Sequence, residues 1–289
     1  MECYTILYED DELLVANKLA PLPVQPEKTG APSLQELLKR DLAARDAAAG
    51  DGKGREPFLE AAHRIDRRAS GAIAFAKTPK ALSTLEAAFR DRRVEKLYIA
   101  CVEREPAPTA GKLEHRLVWD KRRNVVRATS PLPAAAGQKP DGEAGRSLKK
   151  KERGRIPAEL AVLEYRLAGR SERYFFVEAK LLTGRHHQIR AQFSAAGFPI
   201  RGDLKYGARR SAPNGLIMLH AKRLAIPQPR TGGIVEVLAP FPASEGLWAA
   251  FEEGGKPGLP GAEVDAREEG RDAPTFPEHD VEDGDGLEV

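Results

Sequence analysis

The sequence contains few cysteines and no long apolar run, and these absences exclude several classes of protein. Its 289 residues include only two cysteines, Cys3 and Cys101, which lie far apart and match no metal-ligand spacing. A disulfide framework and a zinc site are therefore not supported, and a reducing, cytoplasmic setting fits best. Residues 1–14 carry acids where a signal peptide needs a basic region, and no apolar run approaches the roughly 18 residues that span a bilayer. The sequence predicts no membrane role.

The net charge of +3 conceals an asymmetry between the two ends of the chain. Residues 255–289 carry eleven acidic and three basic side chains, a balance of −8, which leaves +11 on residues 1–254. A body this basic favours a polyanionic partner, most simply nucleic acid, because phosphate neutralisation releases counterions. A solvated basic surface is the alternative. Residues 254–289 show no apolar period and are predicted to form an acidic, disordered tail.

Hydrophobic patterns predict one α+β domain over residues 1–253, because strand and helix signals alternate irregularly and no repeat is present. Residues 131–157 are rich in glycine, proline, alanine and lysine and are predicted to be a flexible insertion. The predicted strands are a hairpin within 4–18 and segments 71–78, 94–103, 173–182, 216–226 and 233–240. The predicted helices are 33–50, 79–93, 186–197 and a short one near 247–251.

The stretch HRIDRRASG, residues 63–71, places one carboxylate, Asp66, among Arg64, Arg67 and Arg68. An aspartate is ionised at neutral pH without help, so the arginines are not needed to deprotonate it. A guanidinium can instead orient the carboxylate and compensate its charge when substrate excludes water. Spacing alone favours a structural ion pair over a catalytic carboxylate.

Two further polar groups stand at strand ends. TGRHHQIR, residues 183–190, crowds Arg185, His187 and Arg190 at a strand end and a helix start. Successive helix residues point about 100° apart and no third ligand lies nearby, so His186 and His187 do not predict a metal site. In EKLYIA, Lys96 and Tyr98 point to the same side of a strand. A lone strand tyrosine is more often a core residue, but the basic neighbour favours a phosphate or base nearby.

Taken together, HRIDRRASG, KLY and TGRHHQIRAQFSAAGFPIRGDLKYG resemble the successive motifs of the RluA-type pseudouridine synthases. The resemblance covers roughly residues 6–242, apart from 131–157. It implies a mixed, mostly antiparallel central sheet flanked by helices, with a catalytic cleft. It also implies a monomer that isomerises uridine in structured ribosomal or transfer RNA without cofactor or metal. The small N-terminal RNA-binding domain of some relatives is expected to be absent.

The resemblance also implies roles for individual residues. Asp66 would be the catalytic carboxylate, acting either as a nucleophile or as a base toward the ribose. Arg190 would form the salt bridge that aims it, and Tyr98 would pack against the uracil. Arg64 would fill the space that the flipped nucleotide leaves in the stack. The remaining predicted RNA contacts are His63, Arg67, Arg68, Lys96, Arg185 and His187.

Four positions depart from the family pattern: Leu19 replaces proline, Ile65 leucine, Ala69 threonine and Gln192 histidine. Ala69 removes a hydroxyl beside the catalytic loop, which puts the rigidity of that loop or a phosphate contact in doubt. The competing class is an RNA-binding protein or RNA-folding chaperone without turnover. A second rival, a glycosidic-bond hydrolase, would need a second acid, and Asp203 is interpreted as a turn residue.

Overall fold

The computed structural model describes residues 3–28, 30–49, 56–129, 158–243 and 246–252. The predicted insertion at 131–157 and the predicted acidic tail at 254–289 lie outside the described residues. None of the helices in the described ranges is long and apolar enough to cross a membrane. Cys3 is exposed, Cys101 is buried, and no disulfide joins them.

One mixed sheet organises the described chain, and within it only β4 and β10 pair in parallel. The order of its main path is β1-β2-β4-β10-β5-β9-β8-β6-β7, while β11 pairs with β10 and β3 with β4. This confirms the predicted α+β class with a mostly antiparallel sheet. The strands are β1 (Tyr4–Glu9), β2 (Leu13–Lys18), β3 (Glu60–Ala61), β4 (Ser70–Ala76), β5 (Glu95–Val102), β6 (Ala110–Asp120), β7 (Val125–Thr129), β8 (Glu159–Arg170), β9 (Phe175–Leu181), β10 (Leu219–Pro227) and β11 (Ile234–Leu238).

Four α-helices occur in the described ranges, and each overlaps a predicted one. They are α1 (Leu34–Ala48), α2 (Pro79–Arg90), α3 (Gln188–Ala195) and α4 (Gly246–Glu252). Local signals explain two of the starts. Ser33 and Glu36 form a capping box before α1, and the Thr78 hydroxyl accepts from the third amide of α2, where Pro79 occupies the first turn.

The parallel contact between β4 and β10 fixes the chain directly after Asp66. Ser70 lies opposite His220 and Gly71 opposite Ala221. Gly71 has a φ of 117°, and a Cβ there would lie 2.4 Å from the Ala221 carbonyl oxygen. Only glycine allows this approach. The catalytic loop therefore enters the sheet at its centre, where both neighbouring strands hold it.

Three strands, β6, β7 and β8, were not predicted from the sequence. On β6 nearly every residue is exposed or half-buried, and charged residues interrupt its apolar ones, so the period-2 signal is weak. Pairing with β8 along Ala110–Leu117 supplies the stability that the local sequence does not indicate. Together, β6 and β7 pack against α3 and bring Trp119 to the loop that precedes it.

Candidate active site

A cleft of about 1410 Å³ opens beside β5 and the loop between β3 and β4. All ten residues predicted from the sequence line this one cleft, although the chain separates them by up to 127 positions. The three predicted catalytic residues are Asp66, Tyr98 and Arg190. The seven predicted RNA contacts are His63, Arg64, Arg67, Arg68, Lys96, Arg185 and His187.

The loop that carries Asp66 is held through its backbone carbonyl groups. Lys18, fully buried at the end of β2, donates from Nζ to the Ala69 carbonyl at 2.5 Å and to the Arg67 carbonyl at 3.2 Å. The Arg67 carbonyl also accepts from the Leu22 amide, and the Arg68 carbonyl accepts from the Ile217 amide. Burial lowers the pKa of Lys18 to about 7, although the charge of Asp66 acts in the opposite direction. Satisfied carbonyl groups on successive residues make this loop rigid.

The Asp66 carboxylate pairs with Arg190, which projects from α3. Arg190 Nη1 lies 2.9 Å from Asp66 Oδ2, as the resemblance predicted. The same guanidinium donates from Nε and Nη2 to both oxygens of Asp203, at 2.6 and 2.8 Å. Burial alone would lower the pKa of Arg190, but hydrogen bonds to Asp203 and the charge of Asp66 hold that pKa above its usual value. Arg190 is therefore a fixed cation between two carboxylates.

Asp203 is a residue whose role the sequence interpretation missed. Its side chain is 1% exposed, and its two oxygens receive the parallel donors of one guanidinium. It does begin the short 3-10 turn Leu204–Tyr206, as the turn prediction expected. Its bidentate pairing, however, fixes the plane of Arg190 and so the direction of the third donor, toward Asp66. The spacing of thirteen residues to Arg190 gave no local signal for this pair.

His187 approaches Asp66 from the other side of the carboxylate. Its backbone is left-handed, with φ of 52°, and its Nε2 lies 3.6 Å from Asp66 Oδ1. Nδ1 faces the Tyr206 hydroxyl at 2.8 Å, and that hydroxyl also accepts from the Val126 amide. Burial, only partly offset by Asp66, lowers the pKa of His187 to about 3. The imidazole is consequently neutral at physiological pH and does not compete with Arg190 for the carboxylate.

Tyr98 and Lys96 contribute a phenol and an ammonium to the floor of the cleft. Tyr98 is 7% exposed, and burial, reinforced by the charge of Asp66, raises its pKa above the usual value. Its phenol is therefore protonated at neutral pH and offers a flat apolar ring. Lys96 Nζ lies 5.6 Å above the Phe89 ring, and burial lowers its pKa. No ion pair joins Lys96 to another described residue, which leaves it free for an anionic or carbonyl group of a ligand.

The remaining arginines form the rim of the cleft and are exposed. Arg67 contacts Glu27 at 3.5 Å, and Arg185 pairs with Glu159 at 2.9 Å. Arg64 and Arg68 form no salt bridge within the described ranges. Exposed, weakly paired guanidinium groups suit phosphate contacts, because little has to be broken before they bind.

His63 differs from the other predicted RNA contacts because a backbone group already occupies its ring. Its Nε2 accepts from the Ala74 amide at 3.0 Å, and the ring packs against Phe89 with centroids 4.8 Å apart. Burial, followed by the charge of Lys96, lowers the pKa of His63 to about 3. These contacts tie the start of the catalytic loop to β4. The RNA contact predicted for His63 is untested, and the structure gives the residue a scaffold role.

The absence of a metal was predicted from an assumption that the structure corrects. His186 and His187 precede α3 instead of lying within it, and their ring nitrogens and an Asp66 oxygen lie within 4.8 Å of one another. The two rings are nevertheless stacked at 3.8 Å, with planes 26° apart. Lone pairs in nearly parallel ring planes do not converge on one ion, and Arg190 already compensates Asp66. The prediction that no metal is required stands on this geometry.

Comparison with known proteins follows the same residues. The family model for RNA pseudouridylate synthases matches residues 12–195, which include Asp66, Tyr98 and Arg190. The chain belongs to this family. The finding confirms the resemblance that the sequence motifs indicated.

Two relatives and one solved structure illustrate the match. The chain is 32% identical over 240 residues to the dual-specificity RNA pseudouridine synthase RluA of Escherichia coli, covering 81% of this chain and 92% of the relative. It is 31% identical over 242 residues to ribosomal large subunit pseudouridine synthase C of Vibrio vulnificus, covering 82% of this chain but only 65% of that protein. The structure of human RNA pseudouridylate synthase domain containing 4 aligns with a TM-score of 0.62 at 22% identity, covering 86% of this chain and 92% of that one, and supports the fold.

The structure accounts for three departures from the family pattern. Leu19 donates its amide to the Cys3 carbonyl at 3.0 Å, a bond that proline could not make. Ala69 is 1% exposed and packs in the core, so a phosphate contact there is ruled out, and Lys18 supplies the rigidity that was in doubt. Gln192 is fully buried and donates to the carbonyl groups of Leu113 and Ala161, which fastens α3 to β6 and β8.

Proposed function

We propose that this protein isomerises uridine in structured RNA to pseudouridine, with Asp66 as its catalytic carboxylate. The observation that carries the proposal is the pairing of Asp66 with Arg190 at 2.9 Å in the cleft that Tyr98 also lines. A carboxylate held by a fixed cation in a basic cleft fits a reaction on an RNA nucleotide. Membership of the pseudouridylate synthase family supports the same reaction.

The proposed reaction breaks the bond between uracil N1 and ribose C1′ and forms a bond between uracil C5 and the same ribose carbon. The hydrogen on C5 is lost to solvent and N1 gains one, so no cofactor is consumed. Arg190 holds the carboxylate in position, and the neutral phenol of Tyr98 packs against the uracil ring. Since the C5 hydrogen leaves the base, its release reports turnover directly.

The target nucleotide must leave its stack before Asp66 can reach it, which costs a few kcal/mol and least in a loop. Arg64 is exposed and flat enough to fill the vacated space, while Arg67 and Arg68 meet the RNA backbone. The proposed substrate is a stem-loop of ribosomal or transfer RNA. The names of the relatives, one a ribosomal large subunit enzyme and one dual-specific, support that class. A cytoplasmic monomer remains part of the proposal.

Tritium release from total cellular RNA labelled at C5 of uridine tests the proposal. We expect release with wild-type protein, intact RNA length and no free uracil, and background release with Asp66→Asn. Asp46→Asn is the matched control, because Asp46 is exposed on α1 and does not line the cleft. Release at background with the wild type, or release of free uracil, would refute isomerisation. RNA binding without release would support the non-catalytic alternative, which does not account for the buried pairing of Arg190 with two carboxylates.

A further inference from the structure

His186 is an exposed aromatic side chain beside the catalytic carboxylate that no proposed role uses so far. It lines the same cleft as Asp66. One of its ring nitrogens lies within 4.8 Å of an Asp66 carboxylate oxygen. Any RNA strand that presents a nucleotide to Asp66 must therefore pass close to this ring.

Two aromatic neighbours hold the His186 ring in place. One face stacks on His187 with centroids 3.8 Å apart, and Trp119 contacts it edgewise at 4.7 Å with planes 61° apart. His187 is itself fixed by the Tyr206 hydroxyl, and Trp119 packs against the apolar cluster between β6, β7 and α3. A ring positioned in advance loses little conformational entropy when a ligand stacks on it.

The polar atoms of His186 are unused. No hydrogen bond or ion pair joins the imidazole to another residue in the described part of the chain, and the side chain is exposed. Burial of part of the ring lowers the pKa of His186, opposed by Asp66 and reinforced by Arg64. A neutral, flat ring is better suited to a nucleobase than to a phosphate.

We infer that His186 stacks against the base of a nucleotide adjacent to the target uridine and thereby sets a preference for that base. The inference rests on the proposed function, since it places the target uridine at Asp66. Stacking of a base on an aromatic side chain contributes about 1–3 kcal/mol, which corresponds to a fivefold to hundredfold effect. Stacking strength differs among bases, so the contact discriminates between them. Tyr98 serves the target base, and His186 serves its neighbour.

The experiment has two steps. The uridine modified by the wild-type protein is first mapped in total cellular RNA. The nucleotides on either side of it are then randomised in a transcript of that RNA, and pseudouridine formation is measured for each sequence at limiting RNA, with EDTA present to exclude metal effects. The proteins compared are the wild type, His186→Ala, His186→Phe and His186→Lys. His115→Ala is the control, since His115 lies on β6 away from the cleft.

We expect the wild type to favour particular bases at one flanking position. His186→Ala should lose about tenfold in kcat/KM on the favoured sequences and show a flattened preference. His186→Phe should retain both activity and preference, and His115→Ala should match the wild type. Removing the flanking base from the RNA should cost the wild type as much as it costs His186→Ala little, because the two deletions remove the same contact.

Three results would overturn the inference. One is a loss that is equal for all flanking bases, another is rescue by His186→Lys but not by His186→Phe, which indicates a phosphate contact, and the third is an unchanged His186→Ala. In each of these the wild type still forms pseudouridine, so the proposed function survives. If the wild type modifies no uridine in the first step, the proposed function fails and this inference fails with it.

Discussion

The floor and the rim of the cleft carry charges of the same kinds but hold them in different ways. At the floor, the Arg190 and Asp203 side chains are 7% and 1% exposed, and all three polar positions of the guanidinium have carboxylate partners. At the rim, Arg67 is 43% exposed and its one acidic contact is 3.5 Å long. The floor therefore fixes geometry, while the rim keeps cations available for RNA.

This difference sets what each region contributes. Removing one partner of a buried ion pair costs about 3–5 kcal/mol, because the other charge is left uncompensated. An exposed pair contributes roughly 0–1 kcal/mol. Substitutions at the floor should consequently affect the reaction rate and the fold, and substitutions at the rim should affect RNA affinity and its dependence on salt.

The largest expected effect is that of Asp66→Asn. We predict a loss of turnover of more than about 10³-fold, because the amide can neither attack nor accept a proton as the carboxylate does. RNA affinity should change little, since Asp66 is anionic and contributes no attraction to phosphate. Single-turnover rate and equilibrium binding on the same RNA check both halves. A matching loss of affinity would mean that the floor also binds RNA.

Asp203→Asn should have the next largest effect. Loss of the second carboxylate leaves Arg190 with one hydrogen-bond acceptor fewer and frees it to rotate away from Asp66. We expect the rate at saturating RNA to fall by about 10²-fold, as is typical of small misplacements of reacting groups. The midpoint of thermal unfolding should also fall. An unchanged rate would show that Asp203 serves only the turn at Leu204–Tyr206.

Arg68→Ala should have a smaller effect, confined to binding. We predict a weaker Kd and a slope of log Kd against log salt reduced by about 0.7–0.9, the value for one phosphate contact. The rate at saturating RNA should not change. Arg104→Ala is the control, because Arg104 is exposed and does not line the cleft. An unchanged salt slope would remove Arg68 from the RNA-binding rim.

The smallest effect on function is expected for His63→Gln, which tests whether His63 belongs to the scaffold. Its folded-state pKa of about 3 lies below the unfolded value near 6.5, so the unfolded chain binds more protons between these values. The free energy of unfolding should therefore decrease as pH falls from 6.5 toward 3, by at most about 1.4 kcal/mol per pH unit from this residue. The glutamine variant should lose less stability between pH 7 and pH 5 in urea titrations. A weaker RNA affinity at pH 7 would return His63 to the RNA contacts.

Much of the fold could be predicted because local signals agreed with it. The capped helices α1 and α2 and the apolar strands β2 and β4 carry their own patterns. In contrast, β6 is stabilised by pairing with β8, and its exposed charges hide the strand period. The site shows the same division. Motif residues such as Asp66 and Arg190 were identified, whereas Lys18 and Asp203 were missed because their roles depend on contacts with residues distant in sequence.

The most direct test of the central claim is to map pseudouridine in the RNA of cells that carry or lack this gene. The account predicts that at least one pseudouridine disappears without the gene. Wild-type protein should restore it, and Asp66→Asn, expressed at the same level, should not. Restoration by Asp66→Asn, or an unchanged pseudouridine map in cells without the gene, would contradict the account.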